Sequence, residues 1–107
     1  MTHCSVYVTA PDHDTALKIA RIIVTERLAA CANILGPIAS VYHWEGKLQE
    51  EGEVALIAKT TMAQFPALAA RVKAVHPYQV PCIVAWPIAA GHQPYLDWIS
   101  AETKAPS

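Results

Sequence analysis

Two runs of helical periodicity set among four strand-like runs, in the order β-α-β-β-α-β, predict an α+β fold. Two split βαβ units of this kind give the ferredoxin-like arrangement, a four-stranded antiparallel sheet with two helices on one face. A long hairpin between the second and third strands and an extra C-terminal helix complete the expected architecture. The chain of 107 residues has the length of one domain, spanning 1–107. Its composition adds a further expectation, because 53% of residues are hydrophobic and only 16% are charged. A domain of this size hides only about two-thirds of the surface its unfolded chain exposes. Some apolar surface should therefore lie against another chain.

Residues 4–9, Cys-Ser-Val-Tyr-Val-Thr, form a short β-branched and aromatic run ended by Pro11, the first strand. Asp12 or Asp14 is placed to cap the helix that follows, accepting from the free N–H groups of its first turn. Leu17, Ala20, Val24 and Leu28 recur at spacings of three and four, with Asp14, Lys18, Arg21 and Thr25 between them. That pattern predicts one buried stripe. Residues 31–44 read as the second strand, interrupted at Gly36-Pro37, where a proline that cannot donate to a ladder predicts a bend, a bulge or an edge. Glu45-Gly46-Lys47 supplies a turn and residues 48–61 return as the third strand. This strand carries Val54, Leu56 and Ala58 on one face and Ala55 and Ile57 on the other, so both faces are apolar and the second implies a partner.

Residues 64–75 predict the second helix, with Phe65, Leu68, Val72 and Val75 as its stripe and Pro66 in its first turn. The loop at 76–81 is held extended by Pro77 and Pro81. Residues 82–88 form the fourth strand, with Pro87 marking an edge or an irregularity. Pro94 opens a terminal helix bearing Tyr95, Leu96, Trp98 and Ile99, and the tail after Ala101 is expected to fray.

A net charge of −1 and scattered basic residues argue against a nucleic-acid partner. No run approaches the roughly 18 apolar residues of a membrane helix, so no membrane association is expected. The first residues lack the pattern of a secretory signal. Three cysteines without a C-x-x-C pair suit a reducing compartment, and the expected location is the cytoplasm. Nucleophile elbows, phosphate loops, dinucleotide fingerprints and zinc-protease motifs are all missing, and no nucleophile–base pair can be named. The expectation is a protein that is not an enzyme.

Candidate binding residues are few. Glu50, Glu51 and Glu53 cluster near the hairpin and read better as a solvated tip than as an acid–base pair. His3, His13, His43, His76 and His92 are too far apart in sequence to form a local metal site, and His13 and His92 read as surface residues. His76, at a helix end on a Pro-flanked loop, fits two roles equally: capping the last helical carbonyls or binding a ligand. Cys31 reads as a small buried hydrophobe. Tyr42 and Trp44 share a strand face and suit either a pocket floor or an interface, the interface being preferred.

Several blocks together resemble the CutA divalent-cation-tolerance proteins. They are Thr9-Ala10-Pro11-Asp12, Leu28-Ala29-Ala30-Cys31-Ala32-Asn33, Tyr42-His43-Trp44-Glu45-Gly46-Lys47, Glu53, Lys59-Thr60, His76-Pro77-Tyr78 with Pro81, and Tyr95-Leu96-Asp97-Trp98-Ile99. The resemblance implies a ferredoxin-like subunit, a homotrimer similar to the PII signalling trimers, and a role in divalent-metal homeostasis. It implies copper(II) or another divalent cation as ligand, not required for folding, with His76 as the metal residue. It also implies an inter-subunit cleft involving Cys31, Tyr42, Trp44, Lys59 and Tyr78. Copper binding in bacterial members is attributed to a Cys before Thr-Ala-Pro and a His-His pair before Pro-Tyr. Here those positions hold Val8 and Val75, so only His76 remains, and Cys82 stands where many members carry Glu. The alternative is a PII-like signalling or scaffold trimer that works through an unidentified protein partner and binds no metal tightly.

Overall fold

A computed structural model describes residues 2–103. The order of elements is β1 (His3–Ala10), α1 (His13–Thr25), β2 (Cys31–Trp44), β3 (Lys47–Thr61), α2 (Phe65–Val75), β4 (Ile83–Pro87) and α3 (Gln93–Glu102). All four strands join one antiparallel sheet in the order β2-β3-β1-β4. This is the predicted α+β, ferredoxin-like topology.

Alternation along β1 sets the two faces. Cys4, Val6, Val8 and Ala10 are buried, and their neighbours across the ladder include Leu56 and Ala58 of β3. This face packs on α1 through Ile19, Ala20 and Ile23 and on α2 through Leu68 and Val72. Prolines fall where the ladder tolerates them: Pro37 lies in edge strand β2 at a register shift between Leu35 and Ile38, and Pro87 ends edge strand β4. At the shift, a Cβ on Gly36 would stand 3.2 Å from the Val54 Cα, and its φ of 152° also favours glycine. The turn between β2 and β3 has two residues, Glu45 (φ 52°) and Gly46 (φ 78°), both positive as a type I′ turn requires.

Helix α1 departs from the predicted stripe. Asp12 is its cap, accepting from the Thr15 N–H at 2.7 Å. The buried residues, however, are Ala16, Ile19, Ala20 and Ile23, while Val24 is 37% exposed. Both stripes are apolar, and the sheet takes the one bearing two isoleucines. Nor does the helix reach Leu28. It ends in a Schellman motif, with Leu28 N–H bonded to the Ile23 carbonyl, Arg27 N–H to the Val24 carbonyl, and Arg27 itself at φ 59°. Leu28 folds back against the core as that motif's hydrophobic contact.

Helix α3 covers part of the second sheet face. His3 and Cys31, which alternation places opposite the core, meet it through Ser100 (2.7 Å) and the Tyr95 hydroxyl (3.3 Å). Contrary to the expected fraying after Ala101, Glu102 is helical and its carboxylate takes Arg27 at 3.0 Å. Residues 104–107 of that expected tail lie outside the described residues. Leu35, Val84 and Trp86, also on the second face, stay exposed.

Beyond Gly36 the hairpin leaves the sheet. Residues 38–44 and 47–53 pair only with each other, because β1 ends its pairing with β3 at Val54. The result is a two-stranded ribbon projecting from the domain, which measures 44 × 26 × 23 Å.

Candidate functional site

Where the ribbon leaves the sheet, its flank and the loop from α2 to β4 enclose a cleft of about 600 Å³. Register explains its floor. Tyr42 stands opposite Gln49, and Glu51 and Glu53 follow at two-residue steps on the same face. Trp44 extends that face towards the turn. The opposite wall is Pro77, Tyr78, Gln79 and Val80, with Thr9 and Cys82 also lining the cleft.

His76 fixes this wall without facing the cleft. Its Nδ1 accepts from the Tyr78 backbone N–H at 3.1 Å, and its Nε2 lies 2.8 Å from the Thr9 carbonyl oxygen. A carbonyl can only accept and a backbone N–H can only donate, so the proton sits on Nε2 and both ring nitrogens are engaged. The ring therefore ties the loop to the end of β1 rather than bonding the last carbonyls of α2. It also packs on the Tyr78 ring, with centroids 4.7 Å apart.

Tyr78 in turn donates its hydroxyl to Glu53 Oε2 at 2.9 Å. Burial first, and the Glu53 carboxylate second, push the Tyr78 hydroxyl well above the ordinary tyrosine value. Desolvation, then the charge of Glu51, raises Tyr42, and burial followed by Glu53 raises the Cys82 thiol. These groups are therefore neutral at neutral pH, and Glu51 and Glu53 are the acidic residues that line the cleft.

The expected site residues divide into two groups. Tyr42, Trp44 and Tyr78 meet in the cleft, so within one chain the two ribbon aromatics floor a pocket. Cys31 and Lys59 face each other across the β2–β3 ladder at the far end of the sheet. Lys59 lies six positions along β3 from Glu53, roughly 20 Å of strand. Lys59 donates to Asn33 Oδ1 at 3.3 Å. Contact with Cys31, then burial, pushes the Tyr95 hydroxyl up to about 12. Cys31 is half-buried rather than a core residue.

Glu53 corrects the solvated-tip expectation. It is only 7% exposed and bonded to Tyr78, whereas Glu50 and Glu51 are exposed. Reading residues 49–53 with a period of two would have set Glu51 and Glu53 beside Tyr42 and Trp44, and Glu50 behind them.

Metal ligation does not fit the described residues of a single chain. None of their His, Cys, Asp and Glu side chains gather in threes to hold an ion. A metal on His76 would have to displace a hydrogen bond from either ring nitrogen. All three cysteines are free, with Cys4 buried.

Comparison with known proteins gives a consistent result. The profile of the CutA1 divalent ion tolerance protein family matches residues 4–102. A divalent-cation tolerance protein CutA of Thermus thermophilus is 50% identical over 98 residues, which cover 92% of this chain and 95% of that protein. Protein CutA of Mus musculus is 43% identical over 101 residues, covering 94% of this chain but 57% of the mouse protein. The chain thus spans little more than half of that longer relative. The crystal structure of CutA1 from Oryza sativa superposes with a TM-score of 0.96 at 42% identity, covering 99% of this chain and 97% of that one.

Proposed function

The chain belongs to the CutA1 divalent ion tolerance protein family, and from that membership we propose that it serves divalent-cation tolerance as a homotrimer with ligand clefts at its subunit boundaries. The observation that carries the assembly is the back of the ribbon. Val41 and Leu48 are 61% and 62% exposed there, and they are diagonal neighbours on the face opposite Tyr42 and Trp44. An isolated two-stranded ribbon is marginal in water and cannot hide such residues itself. Further copies of the chain, packed on the ribbon and on the bare second face at Leu35, Val84 and Trp86, would cover both. In this reading the protein is not an enzyme.

Copper(II) or another divalent metal, in this proposal, is held by side chains from more than one subunit, with the Cys31 and Cys82 thiols as the softest donors. A second reading, a PII-like signalling or scaffold trimer without tight metal binding, is favoured by the occupied nitrogens of His76. Calorimetric titration of copper and zinc into wild type, Cys31→Ser and Cys82→Ser separates the two. Saturable binding that weakens in a cysteine variant supports the metal reading. The same weak, unsaturable heat in all three proteins supports the scaffold.

A further inference from the structure

The cleft between the ribbon and the loop from α2 to β4 has a chemistry that metal tolerance alone does not use. Two carboxylates, Glu51 and Glu53, enter a space otherwise walled largely by aromatic and apolar side chains. No Lys, Arg or His is among its lining residues. Glu53 is more than nine-tenths buried, and only its Oε2 accepts a hydrogen bond from the described residues, that of Tyr78. Its second oxygen accepts none from them.

Elimination then narrows the ligand class. An anion would meet two like charges. A neutral apolar molecule would strip water from both carboxylates and offer nothing in return. Among the described residues of one chain no three His, Cys, Asp or Glu side chains gather to hold a bare divalent ion, which also makes poor use of aromatic faces. A cation that also carries apolar surface satisfies both features, pairing with the carboxylates while resting against the negative faces of Tyr42, Trp44 and Tyr78. The volume of about 600 Å³ lies within the range of small-molecule sites.

We propose that this cleft binds a small organic ammonium ion, with Glu51 and Glu53 supplying the charge and Tyr42, Trp44 and Tyr78 the aromatic walls. The inference rests on the cleft reading above and names the ligand class for it. Glu53 has a double role, since its bond to Tyr78 also holds one aromatic wall in place.

Tetramethylammonium and its uncharged isostere tert-butanol are the probes, titrated by calorimetry in potassium chloride buffer near physiological ionic strength. The proteins are wild type, Trp44→Leu and the double variant Glu51→Gln with Glu53→Gln. Gln at 53 keeps an acceptor for the Tyr78 hydroxyl while removing the charge. Wild type should bind tetramethylammonium at least about tenfold more tightly than tert-butanol. The double variant should lose that preference, and Trp44→Leu, a change at an exposed position, should weaken the ammonium ion several-fold. Equal affinity for the two probes, affinity unaffected by both sets of substitutions, or no saturable binding of tetramethylammonium to wild type would overturn the proposal. Light scattering on the same samples keeps the two readings apart. A trimer that ignores tetramethylammonium sinks the ligand class alone, and a single chain that binds it sinks the assembly alone.

Discussion

Residues 54–61 of β3 pair with β1, and 55–59 of them also with β2, and the alternate side chains Leu56, Ala58 and Thr60 are fully buried. Among the described residues, 47–53 of the same strand have β2 as their only strand partner, and Leu48 there is open to solvent. The two halves share one hairpin, yet only the inner half has strands of its own chain on both sides. The outer half has two distinct faces: one completes a cleft with Tyr78, and the other is bare. Hydrophobicity therefore marks the core in one half and an interface in the other, and it is the tertiary neighbour that decides.

Substitutions along the hairpin should reproduce this division. Leu56→Ala in the inner half removes a fully buried side chain and should cost about 2–5 kcal/mol in denaturant unfolding. A loss below 1 kcal/mol would place the core elsewhere.

At the junction of the halves, Tyr78→Phe deletes the donor to Glu53 and should cost about 1 kcal/mol, less than the core change. It should also alter the pH profile. The folded-state value of Tyr78 lies above its ordinary 10.0, so the folded protein keeps that proton longer than the unfolded chain does. The contribution is full below pH 10 and is lost as pH rises beyond it. Tyr78→Phe should flatten part of this alkaline limb, and an unchanged limb would mean that other groups account for it.

The order of elements was legible in the sequence because periodicity acts locally. Pro37 left a bend, a bulge or an edge open, and Pro87 an edge or an irregularity. It took the sheet order and register to show an edge at both and a register shift at Pro37. Helix α1 was harder, since Ala16, Ile19 and Ile23 compete with Leu17 and Val24 for the buried side, and packing on the sheet made the choice. Its end was hidden too, because an Arg rather than a Gly occupies the left-handed position of the Schellman motif. In the cleft, Tyr42 and Trp44 could be paired by alternation alone. Their meeting with Tyr78 could not, because it depends on His76 bridging to Thr9, a contact between segments 67 residues apart. The same long-range geometry leaves Cys31 and Lys59 far from the cleft within one chain.

The bare back of the ribbon is tested most directly by sedimentation equilibrium of the intact chain beside the Val41→Asp/Leu48→Asp variant. Wild type should show a mass near three times the 11.6 kDa of one chain, and the variant, folded by circular dichroism, should fall towards a single chain. Wild type sedimenting near 11.6 kDa at micromolar concentration would contradict the account, because Val41 and Leu48 would then face water with nothing to cover them.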